Sequence, residues 1–370
     1  MRNIINKTFN YLKSKYVDYY TFKILDNLWN EYSKDIKIKE LTLEQKLAIQ
    51  SYWKPLVGKK VSTRWYQLIF SISGDFKSEY VPFEVAMKVQ RTLSPGFNQK
   101  AFDDKSLYNQ LLVGFNIPIR VALCSRGVYY LPESKDLLEV TFDEFILGIT
   151  NIKDCIIKPC VGTDGGRGIS SINVIDGKVT ESGQDISSFI DDFQRKYGFN
   201  YCIERKIHEC NNLQCLNPTS CNTLRIHTYR NRDKQEISFL SAYIRIGKLG
   251  KVVDNAYSGG YCGRISKDGF LDRVVRVYPY LLDTKTESGV DVNHYKILDF
   301  EKMVSTVKRA HSLLPMFDLI GWDVTTDEEG NVIIIEFNPN PDVRIEQCVF
   351  DTTCYGDLQE TIIRKVYSDY

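Results

Sequence analysis

Lys158-Pro159-Cys160-Val161-Gly162-Thr163-Asp164-Gly165-Gly166-Arg167-Gly168 is the stretch on which the reading of this chain turns. Gly162, Gly165, Gly166 and Gly168 fall within seven positions, so the backbone can take positive φ and come close to a ligand. No Gly-Lys-Ser/Thr follows, which excludes a Walker A loop. A dinucleotide fingerprint is excluded too, because the spacing differs and Ile169 to Ile175 reads as a strand, not a helix. Strand, glycine loop, strand describes a flap that folds over phosphates. A long hairpin turn is the plain alternative. Lys158 ends the short apolar strand Cys155 to Lys158, where its ammonium can reach the phosphates that such a flap covers. A solvated strand-end lysine is the alternative there.

The second informative stretch is Gly321-Trp322-Asp323-Val324, a turn at Asp327-Glu328-Glu329-Gly330-Asn331, and Ile333-Ile334-Ile335-Glu336-Phe337-Asn338. Glu336 and Asn338 lie two apart on a strand, so their side chains leave one face. Antiparallel pairing brings Asp323 beside them. Three oxygen donors, two of them carboxylates, suit Mg²⁺ bridging the phosphates of ATP. Without a cation the neighbouring carboxylates would repel each other. A surface hairpin with solvated acids is the competing reading. Ile333 to Ile335 weakens it by making the strand look buried, and buried acids need partners.

Working outward, the chain has 370 residues, 43% hydrophobic and 26% charged, with a net charge of +1. That composition supports a real core, and the length suggests two packed lobes plus an extension. The charge gives no chain-wide footprint for nucleic acid. No run from Met1 to Tyr20 resembles a signal peptide, and no stretch reaches the ~18 apolar residues of a membrane span. A cytoplasmic protein is therefore expected. Ten scattered cysteines include no CxxC pair. Neither Cys155 with Cys160, nor Cys202, Cys210, Cys215 and Cys221, has zinc spacing, so reduced thiols are expected.

Residues 1–100 read as a mostly helical extension. Thr42 with Gln45 forms a capping box ahead of Leu47, Ile49, Tyr52 and Trp53, and Pro55 and Gly58 break the pattern. Trp29, Trp53 and Trp65 suit packing better than a ligand box. Residues 62–95 show no clear organisation. Residues 101–205 read as a first lobe. Asp104 caps a helix through Leu107, Leu111 and Leu112, strands follow over Ile117–Val121 and Val128–Leu131, and Thr141 with Glu144 opens another helix. Residues 206–370 read as a second lobe. Its strands are expected over Thr223–Tyr229, Ile237–Ile246, Val252–Val253, Trp322–Thr325 and Val332–Phe337, with a helix over Phe300–Leu313. Hairpin turns join most strands, which makes the class α+β with antiparallel sheets.

Ile203-Glu204-Arg205-Lys206-Ile207 ends a strand and leads into a polar stretch, a place where backbone groups can read an adenine edge. Asn222-Thr223-Leu224-Arg225-Ile226 opens a later strand, and Arg245, Asp254-Asn255 and Ser258-Gly259-Gly260 follow. Arg245 is equally at home in a structural ion pair.

Taken in order, Asn222-Thr223-Leu224-Arg225-Ile226, Val253-Asp254-Asn255 with Gly259-Gly260, and Ile320-Gly321-Trp322-Asp323 resemble the ATP-grasp superfamily. They resemble one branch of it in particular, the sugar-transfer-associated family found with bacterial surface-polysaccharide genes. The likeness runs from about Leu41 to Arg344. It implies two antiparallel-sheet lobes gripping ATP. It also implies Lys105 and Lys158 on the phosphates, the flap Gly162 to Gly168 over them, and Glu204 at the adenine hinge with Arg205 and Ile207 backbone groups on the base. Glu209, where the family often has glutamine, would hold the ribose. Cys210 departs from a usual histidine. Asp323, Glu336 and Asn338 match the family's Mg²⁺ ligands (Mn²⁺ being an alternative). Arg225, assisted by Asn222, would steady the transferring phosphoryl group. The activity implied is an ADP-forming ligase joining a small-molecule carboxylate to an amine or sugar acceptor. A kinase on the same fold and a catalytically silent nucleotide-binding module are the competing classes.

Overall fold

Thr42 and Gln45 cap each other as expected: Gln45 N donates to Thr42 Oγ1 at 3.1 Å, and Thr42 N donates to Gln45 Oε1 at 2.8 Å. The helix they start runs past Pro55 and stops at Gly58, where φ is 73°. In the computed structural model the described residues are 19–34, 36–95, 102–133, 136–162, 166–251, 254, 259–276, 281–342, 345–350 and 352–368. The chain divides into two compact units: residues 1–95 with 341–370, and residues 96–340.

The first unit is helical. It contains α1 (residues 19–32), α2 (Leu43–Val57), α3 (Arg64–Ser73), α4 (Phe83–Leu93) and a C-terminal helix Gln359–Tyr367. The sequence reading placed 341–370 with the second lobe, whereas these residues group with the N-terminal helices. The physical reason is visible in two glutamines. Gln347 brackets the backbone of Val81 through both its amide oxygen and nitrogen, and Gln359 Nε2 donates to Glu79 O at 2.8 Å. Trp53 and Trp65 are buried, and Trp53 Nε1 donates to Ser78 O at 2.9 Å. Trp29 lies under the Arg64 guanidinium.

The second unit holds two antiparallel sheets. The first runs β3 (Asp136–Val140), β2 (Val128–Glu133), β1 (Arg120–Ser125), β7 (Asn200–Arg205), β4 (Ile152–Pro159), β5 (Ser170–Ile175), β6 (Lys178–Val179). Helices α5 (Phe142–Gly148) and α6 (Ile186–Tyr197) contribute Phe145, Ile186, Ile190 and Phe193 to its core, beside Ile157, Ile172 and Ile203. The turn between β5 and β6 is Asp176-Gly177, with φ of 49° and 75°, the two positive values that a tight hairpin needs.

The second sheet runs β12 (Leu281–Asp283), β11 (Phe270–Arg276), β10 (Tyr261–Ile265), β9 (Glu236–Ile246), β8 (Thr223–Asn231), β14 (Leu319–Thr326), β15 (Val332–Asn338), with β13 (Tyr295–Lys296) beside β11. Side chains alternate between its faces. Leu224, Ile226, Ala242, Ile244, Trp322, Val324 and Ile334 form one core with Met303 and Val307 of α7 (Phe300–Ser312). Thr223, Arg225 and Asp323 consequently point the other way.

Some local expectations shift. The first strand starts at Arg120, not Ile117, because Pro118 has no N–H to give a ladder. The helix after Asp104 is broken into a 3₁₀ turn Lys105–Leu107 and a short helix Tyr108–Leu111. Val252 and Val253 lie outside the described residues. Among the described residues no helix is long and apolar enough to cross a membrane.

Candidate active site

Strand register lines up the polar face of the second sheet. Arg225 on β8 stands opposite Asp323 on β14, Asp323 opposite Glu336 on β15, and Gly321 opposite Asn338. Two residues apart on one strand, Glu336 and Asn338 share the face that carries Asp323. A bulge follows Asp323. Arg225 donates to both Asp323 oxygens, from Nε at 2.5 Å and Nη2 at 3.1 Å, and Arg245 Nη2 donates to Oδ2 at 2.8 Å. Burial alone would raise the pKa of Asp323, but the two guanidiniums outweigh it and hold the group at about 2. Arg245 also reaches Asp254, with Nε 3.2 Å from Oδ2, and both groups bond the Thr223 hydroxyl.

Glu336 is a quarter exposed and pairs with Lys105, Nζ to Oε1 at 3.2 Å. Asn338 Nδ2 is buried without a hydrogen-bond partner. Amide oxygen and nitrogen exchange places on rotation, so this orphaned atom is equally a carbonyl oxygen aimed at a ligand. Among the described residues no group of three or more His, Cys, Asp or Glu side chains could hold a metal ion. The set here has two carboxylates and is completed by the Asn338 amide. All three donors are hard oxygens, so the residues fit Mg²⁺.

The first sheet carries a second charged cluster. Lys158 Nζ lies 2.6 Å from Glu204 Oε2, and Arg120 Nη2 lies 3.6 Å from Glu204 Oε1. All three side chains are buried. Burial favours the neutral form of Lys158, yet Glu204 overrides it and moves the pKa up, so the ammonium stays charged. Glu204 is likewise pushed up by burial and pulled further down by Lys158 and Arg120. Arg120 also donates to the carbonyls of Ser106 (2.9 Å) and Lys105 (3.0 Å), while Lys105 N donates to Cys160 O at 3.0 Å. The backbone of Lys105 is thereby fixed against the first sheet while its ammonium reaches the second. For Lys105 burial is again the larger single influence, downward. Glu336 leads the influences that carry the net shift upward.

The glycine-rich loop follows the end of β4. Gly162, Gly166 and Gly168 have φ of 68°, 74° and 84°. Gly165 lies outside the described residues. At Gly168 a Cβ would come within 2.9 Å of Pro159 Cγ and 3.0 Å of Tyr197 Cε1, so only glycine lets the chain pass this close to the strand and α6. At the hinge, Arg205 N donates to Ile119 O at 2.8 Å and Lys206 N to Asp154 O at 2.7 Å. What Arg205 can offer a base is therefore its carbonyl and not its N–H.

The sequence profile described as sugar-transfer associated ATP-grasp matches residues 85–362. The chain belongs to this family. No curated protein matches it in sequence. Among solved structures it is similar to the ADP complex of purK, N5-carboxyaminoimidazole ribonucleotide synthetase, at 11% identity and TM-score 0.40, over 71% of this chain and 52% of that one. It is similar to the ATP-grasp ligase PsnB complexed with minimal precursor, Mg and ADP, at 12% and 0.39, over 74% and 62%. A third is the Hydrogenobacter thermophilus 2-oxoglutarate carboxylase biotin carboxylase domain with MgADP, at 13% and 0.40, over 72% and 46%. The chain thus spans about half to three-fifths of these proteins. The family assignment rests on the sequence match, not on them.

Asn222 and Glu209 bond each other inside the protein. Asn222 is fully buried, and its Nδ2 donates to Glu209 Oε2 (2.8 Å), Leu213 O (3.1 Å) and Asn217 O (3.0 Å). Glu209 Oε1 accepts from Asn222 N at 2.9 Å and Thr325 Oγ1 at 2.5 Å. Both Glu209 oxygens are thus engaged inside the protein. These bonds fasten the 209–222 segment to β8 and β14, while Asn222 Oδ1 is buried without a partner. A cavity of about 30 Å³ lies beside it, lined in part by Ile207, Glu209 and Cys221. Arg120 was missed by sequence reasoning. Its signal was an arginine inside the apolar run Ile117 to Leu123, since a cation in such a strand has to find a partner.

Proposed function

We propose that this ATP-grasp enzyme is an ADP-forming ligase that activates a carboxylate as an acyl phosphate, which an amine then attacks. One observation carries the reading: Asp323 and Glu204, the acids of the two charged clusters, are each engaged by two cations. Such groups make poor general bases at neutral pH. A hydroxyl nucleophile needs a base, whereas a carboxylate is a nucleophile as it stands.

The residues supply position and charge. Lys105 and Lys158 take the phosphates, the flap Gly162 to Gly168 covers them, and the Arg205 carbonyl and Ile207 N–H meet the adenine. Mg²⁺ held by Asp323, Glu336 and Asn338 would neutralise phosphate charge, with Mn²⁺ as a substitute. Arg225 faces the γ-phosphoryl group as a carboxylate oxygen bonds to phosphorus and ADP leaves. The amine nitrogen then bonds to the acyl carbon, inorganic phosphate departs, and the amine's proton passes to water. The family's sugar-transfer description supports a surface-glycan precursor as the setting.

Hydroxylamine tests the reaction. With ATP, Mg²⁺ and a panel of amino and sugar acids, the enzyme should form a hydroxamate and ADP, and Lys158→Met should form neither. AMP release, or a phosphorylated product inert to hydroxylamine, would overturn the ligase reading.

A further inference from the structure

The polar face of the second sheet continues beyond the residues used so far. Tyr243 on β9 stands opposite Arg225, and Arg264 on β10 stands opposite Tyr243. Arg264, Tyr243, Arg225, Asp323 and Glu336 therefore form one row across five strands. The cations in and beside this row differ in how they are matched. Arg225 and Arg245 are satisfied by Asp323 and Asp254. Arg264 is exposed, and among the described residues no acid pairs with it. Its two strand neighbours Gly263 and Ile265 point into the core, with a Cβ at Gly263 meeting Leu271 and Ile244, which fixes the arginine on the site face.

Strands in a sheet lie ~4.8 Å apart, so Arg264 sits two spacings, about 10 Å, from Arg225. A guanidinium at that distance offers bidentate hydrogen bonds to a second anion. Building on the ligase reading, we propose that Arg264 is a specificity residue and that the acid substrate is at least dianionic. Its reacting carboxylate lies at Arg225 and a second carboxylate or phosphate lies about 10 Å away on Arg264. Monoanionic acids of equal length lose that anchor.

The test is calorimetry on the full chain with Mg·AMPPNP present, using α,ω-dicarboxylates of increasing length, matched monocarboxylates, and ω-phosphonocarboxylates. The expected result is a length optimum at which the dianion binds at least tenfold more tightly than its monocarboxylate. Arg264→Met should erase that difference while AMPPNP affinity holds, and Arg264→Lys should restore part of it. The carboxylate and phosphonate arms identify which second anion is preferred. Equal affinity for dianion and monoanion, a difference that survives in Arg264→Met, or no binding by any acid while AMPPNP binds, would overturn the proposal alone. Failure of Mg·AMPPNP to bind would overturn the nucleotide reading and this one with it.

Discussion

Glu204 on the first sheet and Asp323 on the second are built alike: each is a buried carboxylate gripped by two cations, Lys158 with Arg120 and Arg225 with Arg245. The first cluster carries one positive charge more than Glu204 balances, which suits an anion held beside it, whereas Asp254 balances the second. Their surroundings differ. Glu204 is closed on all sides, whereas Asp323 has Glu336, a quarter exposed, and the orphaned Asn338 amide as neighbours. The first cluster is fit to hold a charged lysine in place. The second has donors to spare.

Replacing one acid in each cluster separates those roles. Glu336→Gln should lower turnover by roughly 100- to 1,000-fold, as loss of a group that meets developing charge does. Its thermal midpoint should barely move, since Glu336 is partly exposed. Glu204→Gln leaves two buried cations facing an uncharged amide and should destabilise the fold by ~3–5 kcal/mol, the range for broken buried pairs. Paired kinetic and denaturation curves would show whether the two effects fall on different variants. Equal stability losses in both would erase the distinction.

A smaller effect is expected at the contact between the clusters. Lys105 Nζ occupies one oxygen of Glu336 at 3.2 Å, so a metal ion and this lysine compete for the same carboxylate. Lys105→Met should weaken ATP binding while tightening Mn²⁺ binding in the absence of nucleotide, each by about tenfold, or ~1.4 kcal/mol. Mn²⁺ relaxation and ATP calorimetry read the two directions separately. Movement of both affinities the same way would place Lys105 outside the metal site.

How far the sequence could be read follows from where its chemistry is local. The hairpin Gly321 to Asn338 was legible because two-residue spacing and a turn fix which side chains share a face, and the strand pairs obey that register. Residues 62–95 were opaque for an equally physical reason. Neither α3 nor α4 has a side-chain cap: Thr63 makes no capping bond, and Pro82 can make none. Strands β10 to β12 carry glycine, charge and few alternating apolar residues, so periodicity does not mark them, although each pairs with its neighbour along the chain. Asn222 and Glu209 were read as ligand groups because the family resemblance implies ribose and phosphoryl roles at their positions. Only three dimensions reveal that both Glu209 oxygens accept from Asn222 nitrogens, while Asn222 Oδ1 stays buried without a partner.

The smallest net effect in the unaltered protein concerns that buried acid, because a second group offsets it. Burial pushes the pKa of Glu209 up from 4.5, and donors from Thr325 and Asn222 draw it only part of the way back, to about 7. A raised acid pKa means that the folded state binds a proton which the unfolded chain has lost. Its contribution is therefore present below 4.5 and is lost as pH climbs from 4.5 to 7, by roughly 3 kcal/mol. His311 acts in the opposite sense. It is buried, with Nδ1 accepting from Thr228 Oγ1 at 2.7 Å and Nε2–H donating to Phe317 O at 3.1 Å, and burial lowers its pKa from 6.5 to about 4. The unfolded chain then binds the extra proton, so His311 adds stability, again roughly 3 kcal/mol, as pH climbs from 4 to 6.5. The two slopes nearly cancel, and unfolding free energy should be close to flat from pH 4.5 to 6.5. Glu209→Gln removes one slope, so its stability should rise with pH across this window. His311→Gln removes the other, so its stability should fall. Denaturant midpoints of the three proteins at pH 4.5, 5.5 and 6.5 measure this directly. Parallel curves for all three would mean that neither group changes its protonation on folding, and that both sites are wetter than their hydrogen bonds indicate.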